Sequence, residues 1–175
     1  MPPRAFLSAT PLFYHRRVVR TQVAVIGSGG DNEERAEKVG RLLAERGATV
    51  VTGGRDEVMA AAARGAKSAG GTTIGILPGE TREGANEWID HVVVTGIGHA
   101  RNLAVVASGD AVIAVGGAWG TLSEIAFARV LGRPVVVLDP GWAVDGEGVE
   151  RVSSPAEAVE LALRLARTAV DEKSH

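Results

Sequence analysis

The chain has 175 residues, of which 45% are apolar and 23% charged, with a net charge of −2 at pH 7 and no cysteine. This composition predicts a single globular domain in a cytoplasmic protein, and it excludes disulfides, thiolate metal sites and a cysteine nucleophile. The near-neutral charge argues against a nucleic-acid partner, and no apolar run approaches the roughly 18 residues that a membrane helix needs.

The first 20 residues differ from the rest, because they carry four arginines and no acidic residue. Internal arginines and Pro11 are unlike a signal peptide. Two interpretations fit: a poorly ordered terminus, or a basic arm that packs on a partner subunit. The first is favoured, since termini are often poorly ordered unless they are tied down. The predicted organisation is a basic arm at 1–20, one domain at 21–170 and a tail at 171–175.

Beyond residue 20, short apolar runs alternate with segments of helical period. The predicted strands are 22–27, 48–54, 72–79, 91–96, 110–117 and 134–140, with a short edge strand at 148–154. The predicted helices are 32–47, 56–71, 99–109, 121–134 and 155–170. The strands are apolar throughout, as strands buried on both faces are, and their alternation with helices implies right-handed crossovers. The sequence therefore predicts an α/β fold, a single doubly wound, Rossmann-like three-layer domain with a mainly parallel sheet.

Ligands of such sheets bind outside the carboxyl ends of the strands, where the strand order reverses. With the common order 3-2-1-4-5-6, four glycine-rich turns meet there: 27–31, 52–56, 95–101 and 115–121. Tight geometry explains glycine in one turn, but four such turns together favour close approach of a ligand to the backbone. Among the first two turns, the expected nucleotide-binding or phosphate-binding residues are Gly27, Ser28, Gly29, Gly53 and Gly54.

Two cofactor fingerprints are incomplete in this chain. The dinucleotide motif G-x-G-x-x-G fits at Gly27 and Gly29 but has Asn32 at its third glycine. The triphosphatase loop G-x-x-x-x-G-K-[ST] fails because "GGAWGTLS" has neither its lysine nor its spacing. The four histidines, at positions 15, 91, 99 and 175, show no metal-ligand spacing. We therefore expect no metal and no cofactor.

The turn at 115–121 is the better anion site. Gly116, Gly117 and Gly120 remove side chains that would block a ligand, and Thr121 adds a hydroxyl donor. Free backbone N–H groups at the start of the following helix, together with the helix dipole, favour a phosphate. The expected partner is a small phosphorylated ligand held by these four residues.

Glu124 and Arg101 are the candidate catalytic pair. The segment from Thr121 to Glu124 also matches an S/T-x-x-E capping box, in which both side chains bond to backbone N–H groups at the helix start. For Arg101 the alternatives are a structural salt bridge to Glu124 or a solvated helix terminus. The interpretation that both face a ligand is favoured, because the predicted strand order brings them from adjacent strand ends into one crevice.

Three segments resemble the Lonely Guy (LOG) superfamily over roughly residues 20 to 168: "GGRDEVMAAAARGAKSAGGTTIGILPG", "GIGHARN" and "VGGAWGTLSE". Within it the chain is most similar to the bacterial branch related to molybdenum cofactor carrier proteins. The resemblance implies a Rossmann-like fold and, for LOG enzymes, cleavage of nucleoside 5′-monophosphates to free base and ribose 5-phosphate. It maps the arginine and glutamate of the family onto Arg101 and Glu124, and the phosphate loop onto Gly116, Gly117, Gly120 and Thr121.

The implied chemistry places the anomeric carbon of the sugar near Glu124, whose carboxylate stabilises an oxocarbenium-like transition state or activates water. Arg101 then orients the nucleotide. The chain departs from the family pattern at Val115, which replaces a proline, and at Arg55, Asp56 and Glu57, where small residues are common. These departures imply a differently shaped substrate.

The carrier branch implies an alternative to catalysis, namely a binding protein that holds molybdenum cofactor, a phosphopterin, without turnover. A dimeric scaffold with a vestigial site is a third interpretation. Relatives are usually homodimers, so the resemblance also implies a homodimer, and the mostly apolar helices 99–108 and 121–131 agree with that.

Overall fold

Over residues 20–55, 57–138 and 146–172, which the computed structural model describes, seven strands form one parallel sheet. The strands are β1 (Gln22–Ser28), β2 (Thr49–Thr52), β3 (Thr73–Leu77), β4 (His91–Val94), β5 (Ala111–Gly116), β6 (Val135–Leu138) and β7 (Val149–Val152). Their spatial order is β4-β3-β2-β1-β5-β6-β7, and every neighbouring pair is parallel. The order reverses between β1 and β5. The predicted doubly wound α/β fold is confirmed.

Helices cover both faces of this sheet. They are α1 (Glu33–Glu45), α2 (Val58–Ser68), α3 (Arg101–Ser108), α4 (Trp119–Val130) and α5 (Pro155–Glu172). On one face α1, α2 and α5 pack against Val23 and Val25, and on the other α3 and α4 pack against Ala24 and Ile26. Successive residues of β1 thus enter two different apolar cores, which is why the strand is apolar at every position.

The predicted strand order is wrong at one element, because β4 lies at the outer edge beside β3 and not beside β1. Residues 78–90, which join β3 to β4, contain no helix and leave β4 next to the preceding strand. Asp90 fixes this arrangement, since its carboxylate accepts hydrogen bonds from the Thr73 backbone N–H at 2.9 Å and the Thr73 hydroxyl at 3.2 Å. Helix α3 then crosses β3, β2 and β1 on the way to β5.

Two predicted segments fall largely outside the described residues. Of the basic arm predicted at 1–20 only Arg20 is described, and of the tail predicted at 171–175 only the first two residues are. Among the helices described, none has both the length and the apolar character that crossing a membrane requires.

Helices α1 and α2 touch through their backbones. A Cβ on Gly40 would overlap the carbonyl oxygen of Ala62, and a Cβ on Gly65 would overlap the carbonyl oxygen of Glu37. Glycine in a helix interior is about 1 kcal/mol less favourable than alanine. The close approach of the two backbones explains why both positions are nevertheless glycine.

We expect Gly65→Ala to lower the free energy of unfolding by about 1–3 kcal/mol, because the added methyl group has to push the two helices apart. Urea unfolding measures this change. Gly79→Ala is the control, since Gly79 is exposed and its Cβ would meet nothing within 4 Å; its effect should stay within about 0.5 kcal/mol. A Gly65→Ala protein as stable as the wild type would contradict the backbone contact.

Candidate functional site

A cavity of about 150 Å³ lies between the carboxyl ends of β1 and β2 and the N-terminal turns of α3 and α4. This is the side of the sheet where the strand order reverses, as the fold requires of a ligand site. The cavity is lined by Val25, Ile26, Gly27, Ser28, Gly53, Met59, His99, Arg101, Asn102, Gly120, Thr121 and Glu124.

The turn between β5 and α4 presents unpaired backbone donors. Helix α4 begins at Trp119, and the N–H of Leu122 donates to the oxygen of Ala118 at 3.0 Å. The N–H groups of Trp119, Gly120 and Thr121 come before that bond and have no acceptor within the helix. The first turn contains no acidic residue, so the positive end of the helix dipole is not neutralised locally. A Cβ on Gly120 would meet no atom within 4 Å, which leaves room for a ligand.

Glu124 does not form the capping box that its spacing from Thr121 allows. The N-cap of α4 is Ala118, and it makes no side-chain capping hydrogen bond. Thr121 therefore lies inside the first turn of the helix, where its side chain cannot act as the cap. Both Thr121 and Glu124 are buried and line the cavity instead.

Burial without a partner changes the acidity of Glu124. The residue is 8% exposed, and within the described ranges its carboxylate accepts no hydrogen bond. Burial raises the pKa of the Glu124 carboxyl to about 7, because desolvation disfavours the charged form, while the nearby charge of Arg101 opposes the rise. Near neutral pH this group can therefore both accept and donate a proton.

Arg101 is buried at the same cavity, with 9% of its surface exposed. Its guanidinium lies against Gly53, where a Cβ would overlap it. Burial lowers the pKa of the Arg101 guanidinium, and Arg55 lowers it further, while Glu124 opposes both effects. No N–O contact within 4 Å joins Arg101 to Glu124 or to another carboxylate of the described chain. The structural salt bridge between Arg101 and Glu124 is thus not formed, and both side chains remain available to a ligand.

Arg101 reaches the cavity by a route that differs from the predicted one. Its helix follows β4, which is not a neighbour of β5. Because α3 crosses back over the sheet and packs against α4, its first residue nevertheless lies at the cavity that Glu124 lines.

The structure brings most of the predicted site residues together. The cavity is lined by Gly27, Ser28, Gly53, Arg101, Gly120, Thr121 and Glu124, whereas Gly29, Gly54, Gly116 and Gly117 lie outside its lining. Gly116 and Gly117 shape the turn before α4, with φ values of 61° and 141° that favour glycine. The N–H of Gly29 donates to the carboxylate of Glu57 at 2.8 Å.

Three polar or polarisable cavity residues were not predicted from the sequence, namely Met59, His99 and Asn102. His99 and Asn102 flank Arg101 in "HARN", so their position beside a candidate arginine was the available signal. Met59 lies in the first turn of α2 and carried no signal in the sequence.

The donors of the site are backbone N–H groups, a hydroxyl and a guanidinium, and this set suits an anion. No group of three or more His, Asp or Glu side chains in the described ranges is arranged to hold a metal ion.

Comparisons with known proteins agree with the fold and with the resemblance seen in the sequence. The model of the SLOG cluster4 family matches residues 20–168, a range that contains every residue of the cavity. A protein of Archaeoglobus fulgidus is 44% identical over 141 residues, which are 79% of this chain and 91% of that protein.

Two further similarities concern proteins with named activities. The cytokinin riboside 5′-monophosphate phosphoribohydrolase of Mycobacterium tuberculosis is 35% identical over 122 residues, and the chain spans 65% of the length of that enzyme. The solved structure of the molybdenum cofactor binding protein from the phototrophic bacterium Rippkaea orientalis has a TM-score of 0.78 at 35% identity. That match covers 85% of this chain and 98% of that one. Similarity to both LOG enzymes and cofactor-binding proteins is thus confirmed.

We expect the free energy of unfolding to fall as the pH rises through neutrality, because the folded protein holds the Glu124 proton more tightly than the unfolded chain. With a pKa raised from 4.5 to about 7, the contribution is fully present below pH 4.5 and is lost as the pH rises through 7. Since a shift of one pKa unit corresponds to about 1.4 kcal/mol, the total contribution is at most about 3–4 kcal/mol.

Urea unfolding of Glu124→Gln between pH 5 and 8 measures this contribution. The variant should gain stability relative to the wild type as the pH rises, and the exposed Glu34→Gln should not. A constant difference between Glu124→Gln and the wild type across that range would contradict the raised pKa.

Proposed function

Since the chain belongs to the SLOG cluster4 family, we propose that its cavity binds a nucleoside 5′-monophosphate and hydrolyses the N-glycosidic bond. The products are the free base and ribose 5-phosphate. The observation that carries this proposal is a buried carboxylate, Glu124, which accepts no hydrogen bond from the described residues and lies on the same helix whose first turn presents free N–H groups.

The 5′-phosphate binds at the turn from Gly116 to Thr121. The N–H groups of Trp119, Gly120 and Thr121 and the positive end of the α4 dipole stabilise its negative charge. Thr121 is 3% exposed and faces the cavity, so its hydroxyl adds a donor from inside. The sugar then extends towards Glu124, one helical turn further along α4.

Glu124 acts on the anomeric carbon. As the bond between C1′ and the base nitrogen breaks, its electron pair leaves with the base and positive charge develops on the sugar. The Glu124 carboxylate stabilises that charge and accepts a proton from the water whose oxygen bonds to C1′. That proton then passes to the base nitrogen that left with the electron pair, which gives the neutral free base and returns Glu124 to its charged form. A pKa near 7 suits this group to the proton transfer at neutral pH, since efficient general bases titrate close to the working pH.

Arg101 positions the nucleotide. Its guanidinium is held against Gly53 by burial, which fixes its direction before a ligand binds. A preorganised cation that needs no rearrangement stabilises a bound anion more effectively than one on a mobile surface chain.

We expect Glu124→Gln to lower base release from nucleoside monophosphates by about 10²–10⁴-fold, because removal of a general base costs that much. Chromatography of the released base measures the rate, and calorimetry should show that AMP still binds. Glu157→Gln, an exposed acid at the start of α5, is the control and should keep the wild-type rate. Unchanged turnover in Glu124→Gln would refute the catalytic assignment.

The second candidate function is binding of molybdenum cofactor without turnover. The structural match to the molybdenum cofactor binding protein covers 98% of that chain, whereas the enzyme match covers 65% of the enzyme. A phosphopterin carries one phosphate, which can use the same turn before α4. Purified protein that binds monophosphates but releases no base from any of them would favour this function over hydrolysis.

We also propose a homodimer formed through α3 and α4. These two helices pack together and present large apolar side chains to solvent, namely Leu103, Trp119, Phe127 and Val130, followed by Leu131. Trp119 and Val130 are each 84% exposed. An apolar surface of this kind on a single chain is typical of a subunit interface.

We expect Val130→Glu to convert the dimer to a monomer, since a buried unpaired carboxylate at an interface is strongly unfavourable. Sedimentation velocity measures the change in mass. Ala156→Glu places the same charge at an exposed position of α5, on the other face of the sheet, and should leave the mass unchanged. A wild-type protein that sediments as a monomer would refute this interface.

A further inference from the structure

The cavity is too small to enclose a whole nucleoside monophosphate. Its volume is about 150 Å³, whereas pockets that bury most of a ligand of that size hold about 300–1,000 Å³. With the phosphate at the start of α4 and the sugar beside Glu124, the enclosed volume is filled before the base is reached. The base of a bound nucleotide therefore lies at the mouth of the cavity, where solvent and exposed side chains surround it.

His99 supplies the exposed side chain of that mouth. Of the residues that line the cavity, only His99 and Gly120 are exposed, and Gly120 belongs to the turn that binds the phosphate. His99 lies in the 3-10 turn Gly98–Ala100 that leads into α3, two residues before Arg101. Within the described ranges its imidazole makes no hydrogen bond and no ion pair. Its ring nitrogens are therefore free to contact the part of the ligand that lies at the mouth.

Hydrolysis needs a proton donor for the base at the moment when the bond breaks. Glu124 cannot supply it then, because its carboxylate has to be charged to accept a proton from water. A base that leaves without a proton carries away negative charge, which slows cleavage. Among the other side chains of the cavity, the guanidinium of Arg101 keeps its protons, and the hydroxyls of Ser28 and Thr121 are very weak acids. His99 remains, and histidine is the commonest general acid of enzymes.

We propose that His99 is the general acid that activates the leaving base, an inference that rests on the hydrolysis half of the proposed function. The protonated imidazole donates its proton to a ring nitrogen of the base other than the one bonded to C1′. As the bond from C1′ breaks, its electron pair passes into the ring and the base leaves as a neutral tautomer. When the proton held by Glu124 reaches the nitrogen that has left, His99 takes its own proton back. Both residues then return to their starting states.

Two substrates with different leaving groups test this role. AMP needs a proton on its base, whereas nicotinamide mononucleotide does not, because its pyridinium ring is already positive and leaves as neutral nicotinamide. Glutamine keeps a hydrogen-bond donor at position 99 but cannot act as an acid. We expect His99→Gln to lower kcat for AMP by about 10²-fold and to leave kcat for nicotinamide mononucleotide close to the wild-type value. Chromatography of the released base measures both rates.

His91→Gln is the matched control. His91 is also an exposed histidine, but it lies at the start of β4 and does not line the cavity. This variant should retain the wild-type rates with both substrates. Because both histidines are exposed, neither substitution removes a core contact, and both proteins should fold.

Equal losses with the two substrates in His99→Gln would overturn the general-acid role, because a residue that only positions the ligand affects both. Unchanged rates with both substrates would overturn it as well. A wild-type protein that cleaves AMP but not nicotinamide mononucleotide would contradict the placement of the base at an open mouth, and with it the role of His99. A wild-type protein that releases base from neither substrate would overturn the proposed hydrolysis itself.

Discussion

The candidate site depends on a carboxylate, that of Glu124, which is removed from water and paired with no group in the part of the chain that the structure describes. Moving Glu124 out of solvent disfavours its charged form, and Arg101 is near enough to moderate that effect but not to form a salt bridge. A contact ion pair would have fixed both charges and left neither for a ligand. In the proposed reaction, a pKa near 7 allows this one residue to stabilise positive charge and to transfer a proton.

The architecture was predictable because its signals are local. Strands that are apolar at every position indicate burial on both faces, and the glycines at their ends indicate tight turns. The observed helices and strands therefore agree with the predicted ones to within a few residues at most boundaries. The position of β4 was not predictable in this way. "HVVV" reads the same at an edge as in the interior, and the contact that fixes it, between Asp90 and Thr73, joins residues 17 positions apart. The predicted pairing of Arg101 and Glu124 was therefore reached through a wrong strand order, and the path of α3 is what brings them to one cavity.

The candidate site shows the same division between local and tertiary information. Residue type and spacing selected Gly120, Thr121 and Glu124 as candidates, whereas Arg101 was selected through the predicted strand order and the family resemblance. The spacing of Thr121 and Glu124 also allowed a capping box as an alternative. Only the observed start of α4 at Trp119 excludes that alternative. Met59 enters the cavity because α2 packs beside β1, which no local pattern encodes.

The backbone contact between α1 and α2 has a mechanical consequence. Where Gly40 and Gly65 meet carbonyl groups, no side chain lies between the helices that could change rotamer and absorb a displacement. The two helices must therefore move as one body, and they carry with them the turns that follow β1 and β2. We therefore expect any adjustment of the crevice to come from the opposite layer, where α3 and α4 pack through side chains, among them Val105, Val106 and Ile125, and not through bare backbone.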